Sequence, residues 1–106
     1  MERRTTEAPQ NIISADAPWQ SCIAVCQKCV GKLNLMDGEK SRLRVALKEL
    51  IALKDLKKKV RAVDASCFDL CPEGKITVIH FTPQGVTAVN ADAEVTAPEL
   101  LTRFGY

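Results

Sequence analysis

The sequence predicts an α/β domain: one layer of about four strands covered by helices. Three observations predict it. Short apolar runs rich in β-branched residues recur at 21–25, 60–65, 75–81 and 86–89. One long stretch, 39–58, carries its apolar residues at helical spacing. The order is strand, helix, strand, then two strands joined by a tight turn, then a short final helix. A chain of 106 residues can bury one sizeable core, and it is too short for a large barrel or a second domain.

Residues 1–18 mix charge, Thr, Pro and Gln around a single apolar pair, Ile12-Ile13, and predict a flexible tail. The domain is expected over 19–106. Ser21-Cys22-Ile23-Ala24-Val25 reads as a buried strand that ends at Cys26-Gln27-Lys28-Cys29. A loop carrying Gly31, Asn34, Asp37 and Gly38 is expected next, about nine residues of it separating Cys29 from the helix.

The helix over 39–58 places Leu43, Ala46, Leu47, Leu50 and Leu53 on one face, with Ile51 on its shoulder. Arg42, Arg44, Lys48, Glu49 and Asp55 take the other side, and Lys57-Lys58-Lys59 supplies a positive C-terminal end. Val60-Arg61-Ala62-Val63-Asp64-Ala65 alternates as a second strand and runs into Cys67-Phe68-Asp69-Leu70-Cys71-Pro72-Glu73-Gly74. Thr82-Pro83-Gln84-Gly85 joins the last two strands, Pro presetting the turn and Gly supplying its unusual backbone angle. Thr96 is the expected N-cap of a helix that opens on Ala97-Pro98-Glu99 and buries Leu100, Leu101 and Phe104. With a crossover between two parallel strands, this arrangement is similar to a thioredoxin-like fold.

Composition excludes several functions. A net charge of +2 and an aromatic content of 5% argue against nucleic acid. No apolar run is long enough for a membrane span, and Met1 to Gln10 has no apolar leader-like stretch, so a cytoplasmic protein is expected. Ser/His/Asp sets, glycine-rich phosphate loops and paired carboxylates are all missing, and no catalytic residue is assigned. His80, the single histidine, reads as a packed or half-exposed strand residue, since a Rieske-type site needs two.

Cysteine is the outlier, with five in two tight groups. In a reducing compartment, clustered thiols point to metal or redox chemistry rather than to structural disulfides. Cys26 and Cys29 follow the first strand, while Cys67 and Cys71 follow the second. If those strands are parallel, both pairs stand at one sheet edge and four thiols can meet. Four thiolates suit either a closed zinc site or a [2Fe-2S] cluster. A domain with a good helix and four strands has little need of structural zinc, which favours the cluster.

Phe68 and Leu70 are placed to shield such a cluster. Cys22, inside the strand, reads as a small buried hydrophobe. The spacing Cys22, Cys26, Cys29 also matches that of radical S-adenosylmethionine enzymes, but this chain cannot supply their barrel. Thiol-disulfide exchange through Cys26 and Cys29 is a further alternative, weakened by the loop expected after them.

The stretches Ile23-Ala24-Val25-Cys26-Gln27-Lys28-Cys29 and Ser66-Cys67-Phe68-Asp69-Leu70-Cys71-Pro72-Glu73-Gly74-Lys75-Ile76-Thr77-Val78, with Val95-Thr96-Ala97-Pro98-Glu99-Leu100 closing the chain, resemble the thioredoxin-like [2Fe-2S] ferredoxins. That family includes small bacterial ferredoxins and a domain in the flavoprotein arm of respiratory complex I and of NAD-linked hydrogenases. The resemblance implies a non-enzymatic one-electron carrier with a [2Fe-2S] cluster on Cys26, Cys29, Cys67 and Cys71. It further implies a redox partner protein and is compatible with a homodimer. This chain departs from the family in the first loop, where only two residues separate Cys26 from Cys29. Cys22 is therefore kept as the reserve ligand.

Overall fold

The computed structural model describes residues 14–67, Leu70 and 73–106. In chain order the elements are β1 (Ser21–Cys26), α1 (Gln27–Lys32), β2 (Met36–Asp37), β3 (Lys40–Ser41), α2 (Arg42–Leu53), β4 (Val60–Ala65), β5 (Lys75–Thr82), β6 (Gly85–Asp92) and α3 (Ala97–Arg103). The fold is mixed α/β. Four strands form one sheet in the order β4-β1-β5-β6, while β2 and β3 make a separate small ladder. β1 pairs parallel with β4 and antiparallel with β5, and β6 returns antiparallel on β5.

Period two and register select one core-facing set: Ile23 and Val25 of β1, Val60 and Ala62 of β4, Ile76 and Val78 of β5. These pack with Leu43, Leu47 and Ile51 of α2 and with Ala97, Leu100 and Leu101 of α3. The expected strands are present, the last one longer than its apolar centre because the ladder continues through Asn90 to Asp92 opposite Lys75. Thr82 and Gly85 pair across Pro83-Gln84, as the turn chemistry predicts. Thr96 caps α3 in a reciprocal capping box: its Oγ1 accepts from Glu99 N (3.4 Å), and Glu99 Oε1 accepts from Thr96 N (2.9 Å).

Two expectations are corrected. The stretch after Cys26 is the helix α1, six residues that are too few to give a periodic apolar signal. The long helix is also shorter than expected, Arg42–Leu53 instead of 39–58. Its start is set by Ser41, whose hydroxyl accepts from Arg44 N at 3.2 Å. Its end is set by Asp55 in the left-handed region (φ 58), where Leu56 N reaches Ile51 O and Asp55 N reaches Ala52 O. This double bond pattern closes a helix by reversing the chain.

The same pattern closes α1 at Asn34 (φ 57) and α3 at Gly105 (φ 89). Only α3 uses the glycine that makes such an end easy to read. Ending α2 at Leu53 also rearranges its apolar face. Leu53 is 84% exposed, and Ile51, expected on the shoulder, is in the core.

Of the tail expected over 1–18, residues 1–13 lie outside the described residues; residues 14–18 are exposed and in neither helix nor strand. Leu47, fully buried, and exposed Leu53 separate the face that packs from the face that only looks apolar. Leu47→Ala is expected to cost about 3 kcal/mol of folding stability. Leu53→Ala is expected to cost less than about 0.5 kcal/mol. Urea unfolding of the two variants measures the contrast.

Candidate metal centre

The parallel register sets Cys26 directly beside Ala65, the last residues of β1 and β4. Two residues on from Ala65 stands Cys67, half-buried, so Cys67 leaves the sheet at the same end as Cys26. The Cys26 Sγ points across the gap toward Ser66 O at 4.0 Å. α2 is tied to the same end of the sheet through Asp64, whose Oδ2 accepts from Ser41 N and from Arg44 Nε, both at 3.3 Å. The start of the crossover helix is thereby pinned one residue before the edge where the thiols emerge.

Cys26 is the N-cap residue of α1 and Cys29 lies in its first turn. Both are buried, at 2% and 6% exposure, within the main apolar cluster. Their thiols are close enough to share a hydrogen bond, and they titrate in opposite directions. Burial pushes the Cys26 thiol up, outweighing the backbone N–H donors at Cys29 and Lys28. Burial acts on Cys29 as well, but hydrogen bonds from the Thr77 backbone, Cys26 and the Thr77 side chain, with the charge of Lys32, hold its thiol below the ordinary range. Cys29 is thus the sulfur whose surroundings favour a thiolate, the form that binds metal or attacks a disulfide.

Cys22 is not brought to this edge. It lies four residues back along β1, about 13 Å from Cys26 at ordinary strand rise, and its register partner is Phe81 on β5. Burial raises its thiol against the lowering pull of Arg61. Cys71 and Phe68 lie outside the described residues. Leu70, expected as cluster shielding, is 50% exposed. Among the described residues no three of His, Cys, Asp and Glu stand together as a metal-binding group. Gly74, just before β5, takes φ 69, a left-handed angle that glycine adopts without strain.

His80 sits on the core-facing side of β5, well away from the thiols along the strand, and is 7% exposed. Of the two placements expected for it, packed or half-exposed, it takes the packed one. Its Nε2 is 2.7 Å from the Tyr106 hydroxyl, and its ring lies 4.7 Å from that of Phe104. The signal for these partners, two aromatics flanking a helix-closing glycine, acquires meaning only once α3 is folded back on β5.

No protein-family profile, curated protein or solved structure matches this chain.

Burial holds the His80 imidazole below its ordinary value. The folded protein therefore keeps His80 neutral in a range where the unfolded chain takes up a proton. Its contribution to stability is complete above about pH 6.5 and is lost as pH falls through that value toward the lower folded one. Urea unfolding at neutral and mildly acidic pH is expected to show this loss, and His80→Gln is expected to flatten that part of the profile.

Proposed function

We propose that this chain is a one-electron carrier of thioredoxin-like fold, with a [2Fe-2S] cluster held by Cys26, Cys29, Cys67 and Cys71. The observation that carries the proposal is the parallel register of Cys26 with Ala65, which brings Cys67 to the edge where Cys26 and Cys29 leave β1. The strand order β4-β1-β5-β6, with one parallel pair and a closing antiparallel hairpin, supports the fold assignment.

The donor set fits the group. Buried thiols in an apolar setting are soft ligands suited to iron–sulfur or zinc. The extended core joining the sheet to α2 and α3 makes a purely structural zinc unnecessary, which favours the cluster. When bound, the cluster supplies a site that gains and gives up one electron. The chain's own part is to fix the first pair of sulfurs on a strand end and a helix turn, to exclude water from Cys26 and Cys29, and to offer the Thr77 backbone N–H to the Cys29 sulfur. As a carrier it needs a redox partner protein, and the reducing cytoplasm is the compartment that suits its thiols.

A specific observation favours a second reading, thiol-disulfide exchange. The pair Cys26 and Cys29 opens a helix directly after its strand, where a loop was expected. In such a site the Cys29 thiolate attacks one sulfur of a substrate disulfide and releases the other as a thiolate; Cys26, as a thiolate, then attacks the Cys29 sulfur of the mixed disulfide and releases the second substrate thiol, so that the substrate is reduced to two thiols as the pair is oxidised to a disulfide.

Anaerobic reconstitution with iron and sulfide distinguishes the two readings. The carrier reading expects a red-brown protein with about two iron and two sulfide per chain, lost in Cys67→Ser and retained in Cys22→Ser. A colourless chain holding a single zinc overturns it. For the exchange reading, reduction of a disulfide substrate is expected to persist in Cys67→Ser and to vanish in Cys29→Ser.

A further inference from the structure

A cleft of about 450 Å³ separates α2 from β4. Residues 60–64 of β4 line it without a gap. Successive side chains point to opposite faces of a strand, so five consecutive lining residues mean that the cleft follows the strand's edge rather than either face. The opposite wall is Arg44, Lys48 and Ile51, at the four and three spacing of a single helix stripe, with Lys57 at the end. β4 is terminal in the sheet: among the described residues it pairs only with β1. On the side away from β1, alternate backbone N–H and C=O groups of β4 face outward, as on any open edge; Val60 N is the exception, donating to Leu56 O at 3.0 Å.

The charge of this groove is one-sided. Lys48, Lys57 and Arg61 are exposed, and Asp64 is engaged with Arg44. The Arg61 guanidinium is steadied against the Trp19 ring, 4.4 Å from its centroid. Cations therefore stand on both sides of the edge, Lys48 and Lys57 on the helix side and Arg61 on the opposite face of the strand.

We propose that this edge receives an extended acidic segment of a partner protein, added as a further strand beside β4. Backbone hydrogen bonds to β4 would set its register, and carboxylates at neighbouring positions along it would point to opposite faces and meet Lys48 and Lys57 on one side and Arg61 on the other. Length supports a peptide as the occupant: five strand residues span about 16 Å, the reach of a short extended segment. The inference is independent of the cluster, because no cysteine lines the cleft.

The test is a fluorescein-labelled peptide of repeated Glu-Glu-Val-Val, which presents carboxylates on both faces of a strand, titrated with the full chain and read by anisotropy, with Trp19 fluorescence as a reporter inside the protein. Saturable, salt-sensitive binding is expected, about tenfold weaker in the Lys57→Glu, Arg61→Glu double variant. Lys40→Glu, exposed and outside the cleft, is expected to leave it unchanged. The same peptide with alternate backbone amides methylated keeps its charge but loses its donors, and it is expected to bind at least tenfold more weakly. Equal binding by the methylated peptide, or equal competition by free pyrophosphate, would reduce the cleft to a simple anion patch and overturn the proposal. No binding at all would overturn it too, leaving the lysines as charges that keep an open edge from pairing.

Discussion

The parallel pairing of β1 with β4 is the constraint on which the rest of this molecule depends. A parallel pair needs a crossover between its strands, and α2 is that crossover. Because α2 must lie over β1 and β4, its stripe of Leu43, Leu47 and Ile51 fills the space above Ile23, Val60 and Ala62. The same pairing fixes Cys26 beside Ala65, so two stretches of chain about forty residues apart leave the sheet together. Slipping the register by one residue would turn each core side chain outward and separate Cys26 from the second cysteine loop.

Asp64 connects the core to this edge. It stands on the same face of the sheet as Ala62, next to Val25 in the register, and its carboxylate receives both the backbone of Ser41 and the Arg44 guanidinium. The start of α2 is thus held by a side chain from the end of β4, in addition to the local cap from Ser41. Its second oxygen, Oδ1, is buried and has no hydrogen-bond partner among the described residues. A buried lone acceptor of this kind is costly. Here it sits where the crossover helix, the cationic cleft and the strand end that leads to Cys67 all meet.

Helix ends decide more of this fold than helix interiors do. All three helices close by the same double hydrogen-bond reversal, and in two of them the left-handed position is held by Asn34 or Asp55 instead of glycine. Asn and Asp tolerate that conformation because their short polar side chains bond locally. An apolar-periodic reading continues past such a residue, which is why 39–58 looks like one helix when the chain in fact turns at Asp55. That turn puts Leu53 in solvent and Ile51 in the core. It also leaves Lys57 at the mouth of the cleft beside β4 instead of on a helix face.

Local chemistry alone was enough to read the four strands of the main sheet, the helices α2 and α3, the hairpin at Pro83-Gln84, the capping of α3 by Thr96, and the placement of Cys26 and Cys67 at the ends of two strands. These are local properties, set by side-chain periodicity, turn chemistry and caps within a few residues of one another. Only the tertiary structure decided the strand order, the register of Cys26 with Ala65, the short helix that takes in Cys29, and the aromatic contacts of His80 with Phe104 and Tyr106. None of these has a local signature. Register and strand neighbours are settled by which apolar faces can be buried together, and a six-residue helix is too short to announce itself by period before it packs against β1 and β5. The open edge of β4 belongs to the same class, since an edge exists only once the other strands have found their places.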